Sequence, residues 1–211
     1  MCVIGSFIAW GIFSYLLGAI PCGYLIARMK GIDIRTVGSG NIGATNVFRS
    51  VGKGWGVLTF FCDALKGFIP AVFFPWLSVP LFGCDGGPAL AVCCACLAIV
   101  GHNWPVYLGF KGGKGIATSL GALIGIVPAA AGFGLLWWII LFVVTRYVSV
   151  ASITAAGAVG IAGWFLYQHS GLLLPSVLSL LCAVAIWRHK ANIRRLLNGT
   201  EHRFKFFQRK I

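Results

Sequence analysis

The apolar stretch Ile116–Val144, IATSLGALIGIVPAAAGFGLLWWIILFVV, decides how this chain threads. Its 29 residues exceed the roughly 20 that one membrane crossing needs, and Pro128 interrupts it. As a single helix, the stretch gives the chain six crossings. With a turn near Pro128 it forms a short helix, Ile116–Val127, followed by a helix over Pro128–Thr145, and the chain crosses seven times.

The composition places the chain in a membrane. Of its 211 residues 59% are hydrophobic and only 10% are charged, whereas soluble domains are about a quarter charged. No basic segment precedes the first apolar run, so we expect a retained span and not a cleaved signal peptide. The fold class is therefore an all-α polytopic membrane protein. Further apolar runs of span length occupy Val3–Ile26, Trp55–Phe82, Pro88–Phe110, Val148–Phe165 and Gly171–Trp187.

The distribution of positive charge selects between the two threadings. With seven crossings, every Lys and Arg except Lys66 falls on one side, and the opposite loops, around Asp85, Pro128 and His169, have none. Because cytoplasmic loops carry the excess of Lys and Arg, the pattern predicts seven transmembrane helices with the N-terminus outside and the C-terminus cytoplasmic. The cations that share the cytoplasmic side are Arg28, Lys30, Arg35, Arg49, Lys53, Lys111, Lys114, Arg146, Arg188, Lys190, Arg194, Arg195, Arg203, Lys205, Arg209 and Lys210.

In the seven-crossing arrangement, the helix Ile116–Val127 is shorter than the hydrocarbon core that it has to cross. Twelve residues form about 18 Å of helix against a hydrocarbon core of about 30 Å. We therefore expect protein to shelter this helix, with its N-terminus drawn into the membrane. We also expect one membrane domain, 1–211, with cytoplasmic motif loops 28–54, 101–118, 145–152 and 188–204.

A glycine- and lysine-rich loop leads into the short helix. Gly101–Thr118 reads GHNWPVYLGFKGGKGIAT. Glycines allow backbone N–H groups to converge on an anion, and a helix that starts at Ile116 adds its positive end, so the pattern indicates an anion site. The alternative is a loop whose lysines anchor the membrane edge. It is not a Walker A loop, because Gly115 stands where Ser or Thr would hold magnesium.

The first cytoplasmic loop, VGSGNIGATNVFRSVGKG over Val37–Gly54, contains the spacing G-x-G-x-x-G. A dinucleotide site is excluded because a membrane span follows where a βαβ unit is needed. The loop still offers hydrogen-bonding side chains and one guanidinium with fork geometry for phosphate; the alternative is a flexible polar loop. These side chains are Ser39, Asn41, Thr45, Asn46 and Arg49.

Two charges lie within a predicted span. Asp63 and Lys66 are three residues apart on a helix, and charges at mid-membrane are costly, so we expect them to neutralise each other or a loop residue in a structural role. His102 falls in a tight GHNWP turn, as a structural residue or a ligand. Glu201, the only glutamate, is expected to be a structural salt-bridge hub.

The last cytoplasmic segment is basic. His189 and Asn192, three apart, are predicted to share a helix face just below the membrane. The cations Arg188, Lys190, Arg194 and Arg195 could instead bind anionic lipid headgroups. Nucleic acid is excluded as a partner, because most of the chain is buried in lipid.

The eight cysteines lie scattered, mostly in apolar runs, and the Cys93–Cys96 pair has no second pair to complete a metal site. No paired acids accompany the loops, which argues against a metal-dependent transferase. We predict no metal and no cofactor.

Four motifs, GSGNIGATNVFR, GHNWPVYLGFKGGKGIAT, RYVSVASI and H-x-x-N-I-x-R-L-x-x-G-x-E-x-R-F, resemble the bacterial acyl-phosphate:glycerol-3-phosphate acyltransferase family, PlsY, from about Tyr15 to Phe204. The resemblance implies a seven-span inner-membrane enzyme, with its site facing the cytoplasm. It would transfer an acyl group from acyl phosphate to the 1-hydroxyl of glycerol 3-phosphate, giving lysophosphatidic acid and phosphate. Its partners would be these substrates and membrane lipid, with no obligate protein partner.

The resemblance also implies site residues. Ser39, Arg49, Lys114, His189 and Asn192 would hold glycerol phosphate, and the glycine loop would help to hold the donor phosphate. The proton acceptor is either His189 or the acyl phosphate itself, and the candidate catalytic residues are Ser39, His189 and Asn192. The full set of candidate binding residues is Ser39, Gly40, Asn41, Thr45, Asn46, Arg49, His102, Lys111, Gly112, Gly113, Lys114, Gly115, Thr118, His189 and Asn192. A transporter of an organic phosphate is the alternative function.

Overall fold

A computed structural model describes residues 2–204. The regular structure in this part of the chain is entirely helical, as predicted. The cations Lys205, Arg209 and Lys210 lie outside the described residues. The ten α-helices are α1 (Cys2–Ala19), α2 (Cys22–Met29), α3 (Ala44–Ser50), α4 (Lys53–Phe82), α5 (Gly87–Asn103), α6 (Ile116–Ile126), α7 (Pro128–Thr145), α8 (Val148–Tyr167), α9 (Leu173–Arg188) and α10 (Lys190–Leu197), with 3-10 turns at Val106–Leu108 and Gln168–Ser170.

The predicted break in the long apolar stretch is confirmed. Helix α6 ends at Ile126, one residue earlier than predicted, and α7 begins at Pro128. Val127 between them has a non-helical backbone, φ −143° and ψ 63°. Proline has no N–H to donate and disfavours helical geometry in the residue before it, so the helix cannot run through.

Five segments in the described part are long and apolar enough to cross a membrane, and α9 with α10, bent by 54°, makes a sixth. The first of these, Cys2–Met29, is broken: α1 ends at Ala19 and α2 begins after Pro21. The apolar run Val3–Ile26 gave no indication of this break other than Pro21 itself. The number of crossings and the side on which each terminus lies stay predictions.

The chain divides into two compact units, residues 1–128 and 129–211. In the first unit, glycines bring helix backbones into contact. A Cβ at Gly18 would overlap the backbone of Ala98, which joins α1 to α5, and one at Gly121 would overlap the carbonyl of Ala64, which joins α6 to α4. The short helix α6 is therefore held against α4 along its backbone, as close packing of small residues in membrane helices requires.

In the second unit, α8 packs on α9, and the segment after α10 returns to the end of α7. The backbone N–H of Phe204 donates to the carbonyl of Arg146 at 2.8 Å. The Phe204 ring packs edge-on against Phe142, with centroids 5.4 Å apart. This return brings Glu201 next to the start of α8.

Candidate functional site

The first motif loop, Val37–Gly54, is organised around the side chain of Asn46, which is 3% exposed. Its amide nitrogen donates to the carbonyls of Ile34, Val37 and Asn41 at 2.9–3.2 Å. Its oxygen accepts the backbone N–H of Ser39 at 3.0 Å. The loop is thus an ordered structure, and the Asn46 side chain forms its hydrogen bonds with other residues of the protein.

Other candidates in this loop are less buried than Asn46. Ser39 and Arg49 are exposed, and Thr45 is half-buried. The Asn41 side chain accepts the N–H of Gly43 at 2.9 Å, which shapes the turn before α3. Gly40, at φ +68°, has the left-handed backbone that glycine adopts readily.

Part of the positive charge around the first loop is neutralised locally. Arg35 and Arg28 both pair with Asp33, at 2.7 and 3.2 Å. The side-chain and backbone hydrogen bonds from Arg35 hold the pKa of the Asp33 carboxyl well below its usual range. The Arg35 guanidinium also stacks on Tyr24, 4.8 Å from the ring centroid. These two arginines serve the loop's structure.

The glycine–lysine loop, residues 109–115, packs directly against the end of α5. The N–H of Gly113 donates to the carbonyl of His102 at 3.1 Å, and that of Lys111 donates to Leu108 at 3.3 Å. A Cβ at Gly113 would overlap the His102 imidazole, and one at Gly112 would overlap the His102 carbonyl. Close packing against His102 therefore requires glycine at 112 and 113. This reason differs from the predicted one, which was that glycines allow N–H groups to converge on an anion.

Gly115 forms the entry to α6 with a left-handed backbone, φ +80°. Its Cα faces Asn103, so that a Cβ would lie 2.8 Å from the Asn103 oxygen. Asn103 Oδ1 and Thr118 Oγ1 are buried with no hydrogen-bond partner among the described residues. The first-turn N–H groups of a helix lack intrahelical acceptors. The donors at the start of α6 are therefore the first-turn N–H groups and the Thr118 hydroxyl, whereas Asn103 Oδ1 can only accept hydrogen.

The two loops of the first unit are neighbours. Leu108, immediately before the glycine–lysine loop, packs against the core of the first loop, which includes Ile34, Ile42 and Val47. The first unit therefore brings the loop of Ser39 and Arg49 beside the loop of Lys114.

His102 lies in the last turn of α5 and not in a turn as predicted, because α5 continues to Asn103 before Pro105 stops it. It is 4% exposed, and its Nδ1 is 3.6 Å from Asp63 Oδ1. Lys66 Nζ is 2.9 Å from the same carboxylate oxygen. The expected ion pair within α4 thus includes a third member from α5.

In the second unit, His189 sits at the bend between α9 and α10, where the sequence predicted one continuous helix face. Its backbone, φ −92° and ψ 9°, departs from the helix, and no proline or glycine marks this break. The ring is 3% exposed and its Nδ1 lies 2.8 Å from the carbonyl of Ala185. Because a carbonyl only accepts, Nδ1 carries hydrogen, and the lone pair of the neutral ring is on Nε2.

Glu201 gathers three donors in the second unit. Its carboxylate accepts from Asn192 and Arg195, both at 2.7 Å, and from Ser149 at 2.9 Å. Burial opposes ionisation of Glu201, but these hydrogen bonds outweigh it and lower the pKa of the carboxyl. Asn192 is therefore oriented by Glu201.

Two residues in these sites were not singled out from the sequence: Asn103 faces Gly115, and Ser149 binds Glu201. Arg195, considered there as a ligand of lipid headgroups, pairs with Glu201 instead. Serine and asparagine beside apolar runs carry no periodic signal, so only the adjacency of Asn103 to His102 in the quoted motif could have indicated it. Among residues 2–204, no cluster of three or more His, Cys, Asp or Glu side chains could hold a metal ion.

Comparison with known proteins relates the whole arrangement to one family. The family described as glycerol-3-phosphate acyltransferase matches residues 8–199. A glycerol-3-phosphate acyltransferase of Aquifex aeolicus (strain VF5) is 48% identical over 92% of this chain and 96% of its own length. One from Desulforudis audaxviator (strain MP104C) is 47% identical over 92% of this chain and 93% of its own length.

The fold has solved counterparts. The chain is similar to the crystal structure of PlsY, an integral membrane glycerol 3-phosphate acyltransferase, in its glycerol 3-phosphate form. The TM-score is 0.81 at 44% identity, over 95% of this chain and 96% of that one. The lysophosphatidic acid form of PlsY matches with a TM-score of 0.79 at the same identity and coverage.

Proposed function

The chain belongs to the glycerol-3-phosphate acyltransferase family, and from that premise we propose that it transfers an acyl group from acyl phosphate to the 1-hydroxyl of sn-glycerol 3-phosphate. The products are 1-acyl-glycerol 3-phosphate, which is lysophosphatidic acid, and inorganic phosphate. This is the first acylation of phospholipid synthesis. The family match over residues 8–199 carries the proposal and favours it over the organic-phosphate transporter.

The donor is the finer part of the proposal, and it is supported by the two neighbouring polar loops of the first unit. Glycerol 3-phosphate and acyl phosphate each bring a phosphate. Ser39, Arg49 and Lys114 would bind glycerol phosphate, with Arg49 as a fork-shaped donor. The start of α6, from Gly115 to Thr118, would receive the donor phosphate through its first-turn N–H groups.

The protein has to align the two substrates more than it has to activate the acyl donor. The glycerol hydroxyl oxygen forms the new ester bond to the acyl carbon, while the bond from that carbon to the phosphate oxygen breaks and phosphate leaves with the electron pair. The hydroxyl proton ends on phosphate. Acyl phosphate is already an activated donor, so charge stabilisation and alignment supply most of the rate, with no cofactor.

The family resemblance implies that His189 and Asn192 would hold glycerol phosphate. The carbonyl of Ala185 and the carboxylate of Glu201 orient them, which suits a positioning role. Either His189 Nε2 or a phosphate oxygen of the donor takes the hydroxyl proton first.

We further propose seven membrane crossings, with the N-terminus outside, the C-terminus cytoplasmic and the site open to the cytoplasm of a bacterial inner membrane. The proposal counts the five long apolar segments, the bent pair α9–α10 and the short helix α6. Its support is the one-sided distribution of Lys and Arg.

Purified protein incubated with palmitoyl phosphate and glycerol 3-phosphate, in the presence of a chelator, tests the reaction. We expect equal amounts of lysophosphatidic acid and phosphate. Palmitoyl-coenzyme A in place of palmitoyl phosphate should give neither product. Uptake of glycerol phosphate into vesicles without any acyl product would instead establish the transporter.

A further inference from the structure

Two charged side chains of α4 are buried directly behind the glycine–lysine loop. Asp63 is 2% exposed and Lys66 is 4% exposed. Lys66 Nζ contacts Asp63 Oδ1 at 2.9 Å and donates to the carbonyl of Ile20 at 2.7 Å, where Pro21 breaks the helix between α1 and α2. A buried ion pair is often replaceable by apolar residues without loss of stability, so packing alone does not explain why charges are placed here.

The carboxylate of Asp63 faces more than Lys66. His102 Nδ1 of α5 lies 3.6 Å from Asp63 Oδ1, and the ring is 4% exposed. This separation is longer than a hydrogen bond, but the negative carboxylate attracts the N–H side of the imidazole electrostatically and so favours a proton on Nδ1 and this orientation of the ring.

His102 in turn sets the path of the loop. Its carbonyl accepts the N–H of Gly113 at 3.1 Å. Its ring lies so close to Gly113, and its carbonyl so close to Gly112, that neither position has room for a Cβ. A change in the orientation of the His102 ring would therefore alter its contact with Gly113 and, through the backbone, the position of the next residue, Lys114.

We propose that Asp63 is a positioning residue for the acyltransfer reaction, which acts through His102 to hold Gly112–Gly113 and thereby place Lys114 and the start of α6 against the substrate phosphates. The inference rests on the proposed function. It assigns different tasks to the two members of the pair: Lys66 neutralises Asp63 and closes the α1–α2 break, whereas Asp63 also controls the loop.

Charge removal in three combinations separates these tasks. K66M leaves Asp63 facing His102 but unpaired, so we expect a lower melting temperature with KM values for both substrates near those of the wild type. D63N/K66M removes both charges, so we expect recovery of the melting temperature but a KM raised about ten- to hundredfold for at least one substrate, the scale of a misplaced binding group. D63N alone should show both defects. D85N, in the loop between α4 and α5, is the matched acid-to-amide control and should show neither defect.

Recovery of wild-type KM in D63N/K66M would overturn the proposal, because Asp63 would then serve only to neutralise Lys66. H102Q provides a second test should D63N/K66M fold poorly: its KM should rise, and adding D63N should raise it no further. Independent, multiplicative effects of H102Q and D63N would overturn the coupling.

Hydrogen exchange of the amides from residue 103 to 115 reports on the loop without activity. Exchange should be faster in D63N/K66M than in K66M or D85N, and equal rates would contradict the proposal. If the wild type makes no lysophosphatidic acid, the proposed function fails at that first step, whereas the exchange result still decides whether Asp63 positions the loop.

Discussion

At the scale of single residues, polar side chains divide according to what satisfies them. Asn46 uses both ends of its amide within the first loop, and Asn192 gives its amide nitrogen to Glu201. Ser39 and Arg49, in contrast, are exposed. Asn46 holds the loop backbone in place, Glu201 orients Asn192, and the exposed pair belongs to the proposed binding site.

Lys114→Ala should raise KM for glycerol 3-phosphate about ten- to hundredfold, because a hydrogen bond to a charged group contributes about 1.5–3 kcal/mol. Lys53→Ala, a matched change of an exposed lysine at the first residue of α4, should have little effect. Steady-state kinetics with palmitoyl phosphate as donor measures both. Equal KM values for the two variants would mean that the loop is not a binding site.

His189→Gln tests whether the histidine abstracts the proton. Glutamine retains hydrogen-bonding capacity without a basic ring nitrogen, so a positioning role predicts substantial residual kcat, within about tenfold of the wild type. Direct proton abstraction by Nε2 predicts a loss of about 10²–10⁴-fold. Single-turnover rates at saturating substrate distinguish the two outcomes.

The stability that Glu201 contributes should depend on pH. Its folded pKa is lowered by the donors around it, so its contribution is fully present above the unfolded value, about 4.3, and is lost as pH falls through the folded value. E201Q should cost about 2 kcal/mol at pH 7, and the difference from the wild type should shrink below pH 4. Melting temperatures in detergent between pH 7 and 3.5 measure this. A difference that stays constant over that range would contradict the assignment.

At the scale of elements, the short helix α6 depends on close backbone contact with α4. Gly121 of α6 meets the Ala64 carbonyl, and Gly67 of α4 meets the Thr118 carbonyl, with no room for a Cβ at either glycine. Eleven residues cannot cover the hydrocarbon core, about 30 Å thick, by themselves. Contact with α4 and α5 gives this helix the protein environment that its length requires.

Gly121→Ala should therefore destabilise the protein by about 1–3 kcal/mol, the usual cost of overpacking. Gly132→Ala in α7, where nothing lies within 4 Å of the added carbon, should be neutral or slightly stabilising. Thermal unfolding in detergent compares the two variants. Equal melting temperatures would show that the α4–α6 contact has room for a methyl group at Gly121.

At the scale of the whole molecule, charge and apolar length together set the expected threading. Seven crossings would place all the motif loops on one side of the membrane, as the proposed reaction expects of substrates whose phosphate ends are water-soluble. The helices described in residues 2–204 are compatible with this count when α6 and the bent pair are included.

Fusion of a reporter after Ile211 tests the threading. A reporter that is active only in the cytoplasm should be active when it is fused after Ile211. The same reporter inserted next to Asp85 should be inactive. A periplasmic C-terminus would contradict the seven-crossing proposal while leaving the acyltransfer reaction untouched.

The sequence by itself determined the helical membrane class, the break at Pro128 and the motifs that carry the family resemblance. Each of these depends on local properties: hydropathy, the missing N–H of proline and residue identity. The tertiary structure alone decided the rest. The contact of Asp63 with His102 joins residues distant in sequence, whose approach is fixed by close backbone packing at glycines such as Gly18 and Gly113, and the bend at His189 has no proline or glycine to mark it. No pattern within one segment encodes which neighbour it will meet.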